Sequence, residues 1–507
     1  SGGALTVPQT FSFTTQNTAS VSPTFTAADI ATSADGAFSV FAADMDGDGD
    51  MDILSASLND DTIAWYENDG NADPSFTASN ITTSADRAYS VFAADMDGDG
   101  DMDVLSASRN DNTIAWYEND GNADPTFTAA DIDTSVDGAA TVFAADMDGD
   151  GDMDILSASV DDNTIAWYEN DGNANPTFTA TDITTSADGA RSVYAADIDG
   201  DGDMDIISAS YNDDTIAWYE NDGNADPSFT ATDIATSADR AISVYAADMD
   251  GDGDLDILSA SEGDDTIAWY ENDGNADPSF TAINITTSAD GAFSVFAADM
   301  DGDGDMDIVS ASTEDDTIAW YENDGNPDPA FTAADIATSA NSARSVYVAD
   351  MDGDGDLDIL SASYNADTIA WYEVQSSNTA PTDIILSTNS VDENTPLATT
   401  VGVFTTTDSD TLDTHTYSLV SGIGDTDNGS FTVSGTSLFT ATTLDYETKS
   451  SYSIRIQTSD GTATYSKTFT ISVTDVDEDP DGDGITNNLD NCPTTANADQ
   501  ADSDGDG

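Results

Sequence analysis

Short apolar runs rich in Val, Ile, Phe, Tyr and Thr alternate with stretches of turn residues along most of the chain. Four such runs make one unit. In the first unit they are SVFAAD from Ser39, DILSAS from Asp52, DTIAWYE from Asp61 and PSFTASNI from Pro74. Runs this short, β-branched and aromatic, bounded by Gly, Asn and Asp, predict strands. ENDGNADP, Glu67 to Pro74, supplies the residues of a tight turn between the third and fourth. No apolar run reaches the roughly 18 residues that span a bilayer.

The unit recurs every 51 residues, its acidic loop opening at Asp44, Asp95, Asp146, Asp197, Asp248, Asp299 and Asp350. Seven units of four strands predict an all-β chain built on a seven-bladed β-propeller. The seven tryptophans, Trp65, Trp116, Trp167, Trp218, Trp269, Trp320 and Trp371, all fall on the third strand. They could form a cofactor or sugar platform, but core packing between adjacent sheets is the expectation. The PxFTA strand occurs at Pro23, ahead of the first complete unit, and is missing after Trp371, where WYEVQSSN replaces WYENDGN. The strand near Pro23 is therefore expected to complete the last blade and leave no open sheet edge.

Charge changes the picture next. The 507 residues include 101 acidic and 8 basic side chains, a formal net charge of −93. Such a surface repels nucleic acid and anionic membranes, so neither nucleic-acid binding nor membrane insertion is expected. It also calls for a source of cohesion, and the loops suggest divalent cations. Each loop reads D-x-D-x-D-G-x-x-D. The first offers the carboxylates of Asp44, Asp46, Asp48 and Asp52, with the backbone carbonyl of Asp50 as a further oxygen and Gly49 for the sharp turn. The equivalents are Asp95, Asp97, Asp99, Asp101 and Asp103; Asp146, Asp148, Asp150, Asp152 and Asp154; Asp197, Asp199, Asp201, Asp203 and Asp205; Asp248, Asp250, Asp252, Asp254 and Asp256; Asp299, Asp301, Asp303, Asp305 and Asp307; and Asp350, Asp352, Asp354, Asp356 and Asp358. Alternate residues of a tight loop can aim several oxygens at one point, which suits Ca²⁺ with its six to eight oxygen ligands. An EF-hand would place Glu at the twelfth position, where this chain has Ser55 followed by a strand. Magnesium prefers a stricter octahedron and more water, and zinc would call for His or Cys, which the loops lack.

These 51-residue units with DMDGDGDMD resemble the FG-GAP/VCBS repeats of integrin α-subunit propellers and of many secreted bacterial proteins. The resemblance covers roughly residues 22–374 and implies one Ca²⁺ per blade, in the loop between the first and second strands.

Composition changes after VQSSNTAPTDI. YSIRIQ, Tyr452 to Gln457, and TFTISV, Thr468 to Val473, alternate as strands of a sandwich do. VDEN, DSD, LDYE and DVDE resemble cadherin-type domains. That resemblance implies calcium at the C-terminal junction on Glu393, Asp445, Glu447, Asp475 and Asp477. Asp408 and Asp410 match residues that normally complete a site with a preceding cadherin domain, whereas here a propeller precedes. The only histidine, His415, is expected on a strand surface. The tail from Asp479 resembles a thrombospondin type 3 repeat. It has too little apolar content to fold by burial alone. Asp479, Asp481, Asp483 and Asn487 repeat the metal spacing, with Asp490 nearby, and Cys492 matches the family's DNCP cysteine, whose disulfide partner this chain lacks. A second motif opens at Asp502, Asp504 and Asp506 and stops unfinished, so the native protein is expected to continue or to have been cut here. The start SGGALTV, without Met, reads as a processed N-terminus. The expected organisation is an N-terminal extension (1–21), the propeller (22–375), a cadherin-like β-sandwich (376–478) and a calcium-wrapped tail (479–507).

Where the near-identical units differ, two sites stand out. One reads Phe38, Tyr89, Ala140, Arg191, Ile242, Phe293, Arg344, and the other Leu58, Arg109, Val160, Tyr211, Glu262, Thr313, Tyr364. Strand order puts both on the face opposite the acidic loops. Exposed aromatic and arginine side chains there, Tyr89, Arg109, Arg191, Tyr211, Arg344 and Tyr364 among them, would form a partner surface; loop drift is the alternative. The function expected is a secreted, calcium-stabilised structural or adhesive protein of a bacterial surface or extracellular matrix. Its partners would be itself, a cell-surface or matrix protein, or a glycan. Ala4 to Gln16 alternates apolar residues and could donate a strand to a neighbouring subunit in a filament, or pack on its own propeller. A calcium-dependent lectin is the alternative function. An enzyme is not expected, because the propeller has no His or Lys and offers no singular acid–base pair.

Overall fold

The computed structural model describes residues 23–375, 380–408, 414–461, 463–486 and 489–501. The Ala4 to Gln16 segment, Asp410, Asn487 and the unfinished motif at Asp502 therefore lie outside the described residues. The chain divides into two compact units, Ser1–Ser376 and Ser377–Gly507.

The first unit is a seven-bladed propeller of four-stranded antiparallel sheets. The first blade runs Ala37–Ala43, Asp52–Ser57, Thr62–Asn68 and Phe76–Thr82, from first strand to outer strand. Its second strand, DILSAS, is buried at every position. Each blade packs on a neighbour through both faces, so alternation of polar and apolar residues gives way to a continuous buried run. Leu54 and Trp65 pack toward the second blade, against Val91 and Tyr117. Tyr66 turns the other way, toward Leu360 and Trp371 of the seventh blade. The tryptophans are core residues: each meets a phenylalanine on the outer strand of the next blade edge-on, at centroid distances of 6.2–6.5 Å.

The seventh blade is closed by the strand that opens the described chain. Thr24–Ala31 pairs antiparallel with Thr368–Gln375, Thr24 opposite Gln375. Phe25 stands against Trp320 as Phe127 stands against Trp65. Polar side chains sew the blades together. The Asn68 amide donates to the Met351 carbonyl at 2.8 Å, and Asn119, Asn170, Asn221, Asn272 and Asn323 each reach back one blade in the same way. Val374 takes that place in the last blade. On the axis, Phe41, Phe92, Phe143, Tyr194, Tyr245, Phe296 and Tyr347 form a closed aromatic girdle, with neighbouring centroids 4.6–5.1 Å apart.

The second unit carries a β-sandwich. One sheet holds Asp383–Leu386, Thr400–Thr407, Ser437–Thr440 and Phe431–Ser434; the other holds Ser390–Asp392, Thr464–Thr474, Ser451–Ser459 and Thr416–Leu419. Ile384, Phe404, Leu438, Ile454, Ile456 and Ile471 fill the space between them. Among the described residues no helix is long and apolar enough to cross a membrane.

Candidate cation sites and the axial cavity

The acidic loops join the first and second strands of each blade. Gly47 and Gly49 hold left-handed backbone, at φ 73° and 101°, which lets the loop curl round its own side chains. Asp44 spans the curl: Oδ1 accepts from the Gly47 N–H at 2.8 Å and Oδ2 from the Gly49 N–H at 3.1 Å. Asp46 accepts from the Asp48 N–H, and Asp48 from the Asp50 N–H. Each carboxylate is thus fixed by backbone, and carboxylate oxygens of Asp44, Asp46 and Asp48 lie within 4.8 Å of one another. The same clustering holds for Asp95, Asp97 and Asp99, for Asp146, Asp148 and Asp154, for Asp197, Asp199 and Asp201, and for Asp248, Asp250 and Asp252. Asp299 and Asp350 repeat the anchoring by backbone N–H groups in the sixth and seventh blades.

The last aspartate of each loop begins the second strand and is buried. Asp52 is 1% exposed, its oxygens accepting from the Asn68 N–H at 2.7 Å and the Met45 N–H at 3.1 Å. Burial pushes its carboxyl up to about 7 against those hydrogen bonds, and the equivalents in the other blades to about 6 or 7. The Trp65 indole N–H approaches the same carboxylate without closing a hydrogen bond of good geometry. Burial and the neighbouring Asp48 and Asp44 also raise Asp46, despite the Asp48 N–H. Asp197 Oδ1 and Asp301 Oδ2 are enclosed and have no hydrogen-bond donor among the described residues. Converging, backbone-anchored oxygens, some without a donor, are the donor set a hard divalent cation takes. Asp50 has a different role. Its carboxylate lies so close over Gly70 that a Cβ there would come within 2.1 Å, and Asp101, Asp152, Asp203, Asp254 and Asp305 repeat this contact. Those side chains face the neighbouring turn.

In the second unit, Glu393 is buried and clamps two segments, accepting from the Tyr446 N–H at 2.9 Å and the Val476 N–H at 2.8 Å. Glu447 lies close to three other carboxylates, Glu393, Asp475 and Glu478. A backbone hydrogen bond lowers the Glu447 carboxyl, but burial and those three carboxylates outweigh it and leave the group raised. Glu478 closes the DVDE segment, yet sequence spacing does not single it out; Asn394 donates to it. Asp445 is turned toward Thr448, accepting from its N–H and hydroxyl. In the tail Asp479 repeats the Asp44 cradle, accepting from the Gly482 and Gly484 N–H groups, both at 2.9 Å. Asp481 Oδ2 is enclosed without a donor among the described residues. Burial, then Asp483, Asp490 and Asp479, raise its carboxyl despite the Asp483 N–H. Asp483 accepts from Asn497, and Asp490 from the Cys492 N–H and Gln500. His415 departs from expectation. It precedes its strand, and its Nε2 lies 2.9 Å from Asp408 Oδ2, with the side chain 14% exposed, because the buried carboxylate draws the ring inward.

The variable positions also depart from expectation: they do not form an exposed face. In every blade the register of the first two strands shifts at the first site, as between Ala37 and Ser39, so Phe38, Tyr89, Ala140, Arg191, Ile242, Phe293 and Arg344 are the unpaired residues of seven β-bulges. A bulge re-aims its side chain, and here all seven line a cavity at one end of the ring. Tyr89 is 8% exposed, and Arg109, Arg191, Tyr211, Arg344 and Tyr364 are half-buried. Arg344 lies over Phe293, Tyr364 and Phe38, Arg191 over Tyr211, and Arg109 over Tyr89. Burial would raise the Tyr89 phenol, but the hydrogen bond from Arg109 and the charges of Arg109, Arg191 and Arg87 outweigh it and hold the group below its usual range.

The FG-GAP-like repeat model matches residues 44–106, 95–157, 146–208, 197–259, 248–310 and 300–361. The cadherin domain model matches residues 387–474 and the thrombospondin type 3 repeat model residues 475–500, so Asp475 and Asp477 fall within the latter match. No curated protein matches the chain. Among solved structures, it is similar to BBS1N in complex with ARL6DN, at 11% identity and a TM-score of 0.49 over 70% of this chain and 98% of that one. It is also similar to a protein from Lactobacillus plantarum, at 14% and 0.42 over 64% and 87%. A third is the periplasmic gluconolactonase PpgL of Pseudomonas aeruginosa, at 12% and 0.41 over 59% and 88%. The assignment stands on the repeats themselves: the chain belongs to the FG-GAP-like repeat family, its propeller followed by a cadherin domain and a thrombospondin type 3 repeat.

Proposed function

We propose that this is an extracellular structural or adhesive protein whose fold depends on Ca²⁺ and which carries out no catalysis. The observation that carries the reading is the repeated cradle in which backbone N–H groups fix Asp44, Asp46 and Asp48 with their oxygens converging. In each blade the first, second, third and fifth aspartates of the loop would hold the ion, with the backbone carbonyl of the fourth. Glu393, Glu447, Asp475, Asp477 and Glu478 would hold calcium beside the sandwich, as would Asp479, Asp481, Asp483 and Asp490 in the tail. Three module types whose relatives typically use calcium, joined in series, support a place outside the cell, where calcium is abundant. Each ion bound only by the native state stabilises it by about 1.4–2.7 kcal/mol at 10–100 times Kd. Summed over seven loops, this is as large as the roughly 5–15 kcal/mol total of an ordinary domain.

The test is thermal unfolding in millimolar calcium and in excess EDTA. Tm is expected to fall by tens of degrees in chelator, and an unchanged melting curve would reject the reading. Light scattering under the same conditions tests self-assembly: large particles that disperse on chelation support a matrix or filament role. Contact with glycans is a second reading, favoured by the aromatic and cationic lining of the axial cavity.

A further inference from the structure

The propeller contains five basic residues and no lysine: Arg87, Arg109, Arg191, Arg240 and Arg344. Scattered at random through a ring this acidic, five cations would sit beside carboxylates on every side. Instead all five gather at the end of the axis opposite the acidic loops. Arg191 and Arg344 project from β-bulges into the axial cavity, and Arg87 lines its outer region. Arg109 stacks on Tyr89, and Arg240 on Tyr211. Arg87 and Arg240 hold left-handed backbone at φ 58° and 57°, where four of the other five units have glycine. A side chain there strains the backbone, a penalty that the glycine units avoid.

Their pairing is incomplete. Only Arg109 makes an ion pair among the described residues of the propeller, with Asp161 at 3.5 Å. Among the described residues Arg191 and Arg344 have no carboxylate within ion-pair distance, and the Nε of each is enclosed without a hydrogen-bond acceptor. Glu262, the acidic residue that lines the outer region, already accepts from the Tyr211 hydroxyl at 2.8 Å. The cavity thus presents three guanidiniums against one committed carboxylate. Its outer walls also include Phe38, Tyr89, Phe293 and Tyr364, rings over which Arg344 and Arg109 already lie, and its inner wall carries a ring of serines, Ser39, Ser90, Ser192, Ser243, Ser294 and Ser345. The space measures about 180 Å³ in its inner region and about 230 Å³ in its outer region, and neither region is sealed off. That is below the ~300–1,000 Å³ of a site for a drug-sized ligand. These residues also belong to the few positions at which otherwise near-identical repeats differ, so the asymmetry of the ring is concentrated on this one cavity.

We infer that the axial cavity binds the carboxylate of a single uronic acid ring, with Arg191 and Arg344 holding the charge and the serine hydroxyls of the inner wall facing the sugar's hydroxyls. Planar guanidiniums pair well with carboxylates, and serine hydroxyls both donate to and accept from the hydroxyls of a pyranose. The acid is either a free monosaccharide or the terminal residue of an acidic polysaccharide. The inference deepens the glycan reading and rests on it.

The test is calorimetric titration of the calcium-loaded full chain with D-galacturonate, with D-galactose, and with a galacturonate trimer, at low ionic strength. Galacturonate is expected to bind with a dissociation constant of about 1 mM, as suits a ligand of its size. Galactose, lacking the carboxylate, is expected to bind at least about tenfold more weakly. A trimer that binds as tightly as the monomer assigns the site to chain ends, and binding by the monomer alone assigns it to the free acid. Arg191→Met and Arg344→Met should each weaken binding about tenfold or more, at unchanged calcium-dependent melting. Glu262→Gln removes the competing charge and should tighten it, which keeps the test open if an arginine variant fails to fold. No heat with either acid at ~10 mM, or equal binding by wild type and all three variants, would overturn the site. Loss of acid binding together with retained sensitivity to EDTA would reject this inference and leave the calcium-dependent structural reading standing.

Discussion

Asp52 places a carboxylate where water does not reach, next to a loop that already concentrates negative charge. Unfolded, an aspartate titrates near ~4; in the folded, cation-free chain burial pushes Asp52 up to about 7. Between those values the folded chain keeps protons that the unfolded chain has released, so stability falls as pH rises from about 4 to about 7. In EDTA, Tm is therefore expected to be higher at pH 5 than at pH 8. In calcium the order should reverse, because the ion needs ionised carboxylates. Melting curves at the two pH values, with and without calcium, check both signs. Asp44→Ala removes the acceptor of two backbone N–H groups in one loop. Calcium stoichiometry should fall by one and stability in calcium by about 1.4–2.7 kcal/mol, with a smaller change in EDTA. The aspartate spacing made these loops legible in the sequence because their ligand geometry is local. Glu478 and the pairing of His415 with Asp408 were not legible, since both depend on how distant strands are brought side by side.

At the scale of the blade, the repeats reveal strand number and order, and the missing outer strand after Trp371 points to the closure at Thr24–Ala31. The bulge at Phe38 and its equivalents was hidden. Strand-forming composition is the same on either side of it, and only the pairing register shows that one residue is left over and turned into the axis. The expectation of an exposed variable face failed for that reason. Blade-to-blade clasps are a second feature visible only in three dimensions. Asn119 donates to the carbonyls of Met45 and Met102 and accepts from the Gly121 N–H. Asn119→Ala leaves the buried Met45 carbonyl without this donor, while Met102 and Gly121 are exposed and can turn to water, and should destabilise the ring by about 1–3 kcal/mol, the cost of one buried group left unpaired. Denaturant unfolding in calcium measures it. Any of the other five asparagines should give a similar value, since each makes the corresponding bond.

For the whole molecule, the ring is completed by a strand from the opposite end of the propeller sequence. Deleting residues 1–31 would expose the edge of Thr368–Gln375 and leave Trp320 without Phe25. An unpaired edge of this kind recruits other chains. The truncated protein is expected to aggregate in calcium, whereas deletion of residues 1–16 leaves the closing strand in place; size-exclusion chromatography separates the two outcomes.

The direction of that seam has a mechanical consequence. Thr24 lies opposite Gln375, so the chain enters and leaves the ring at the same end of one antiparallel ladder. A pull on the propeller through its two chain ends acts across the strands, and the hydrogen bonds between them break in succession, as in a zipper, without being sheared together. Under tension the ring should open at its seam at low force, well before any single blade unravels, and close again when the force is released.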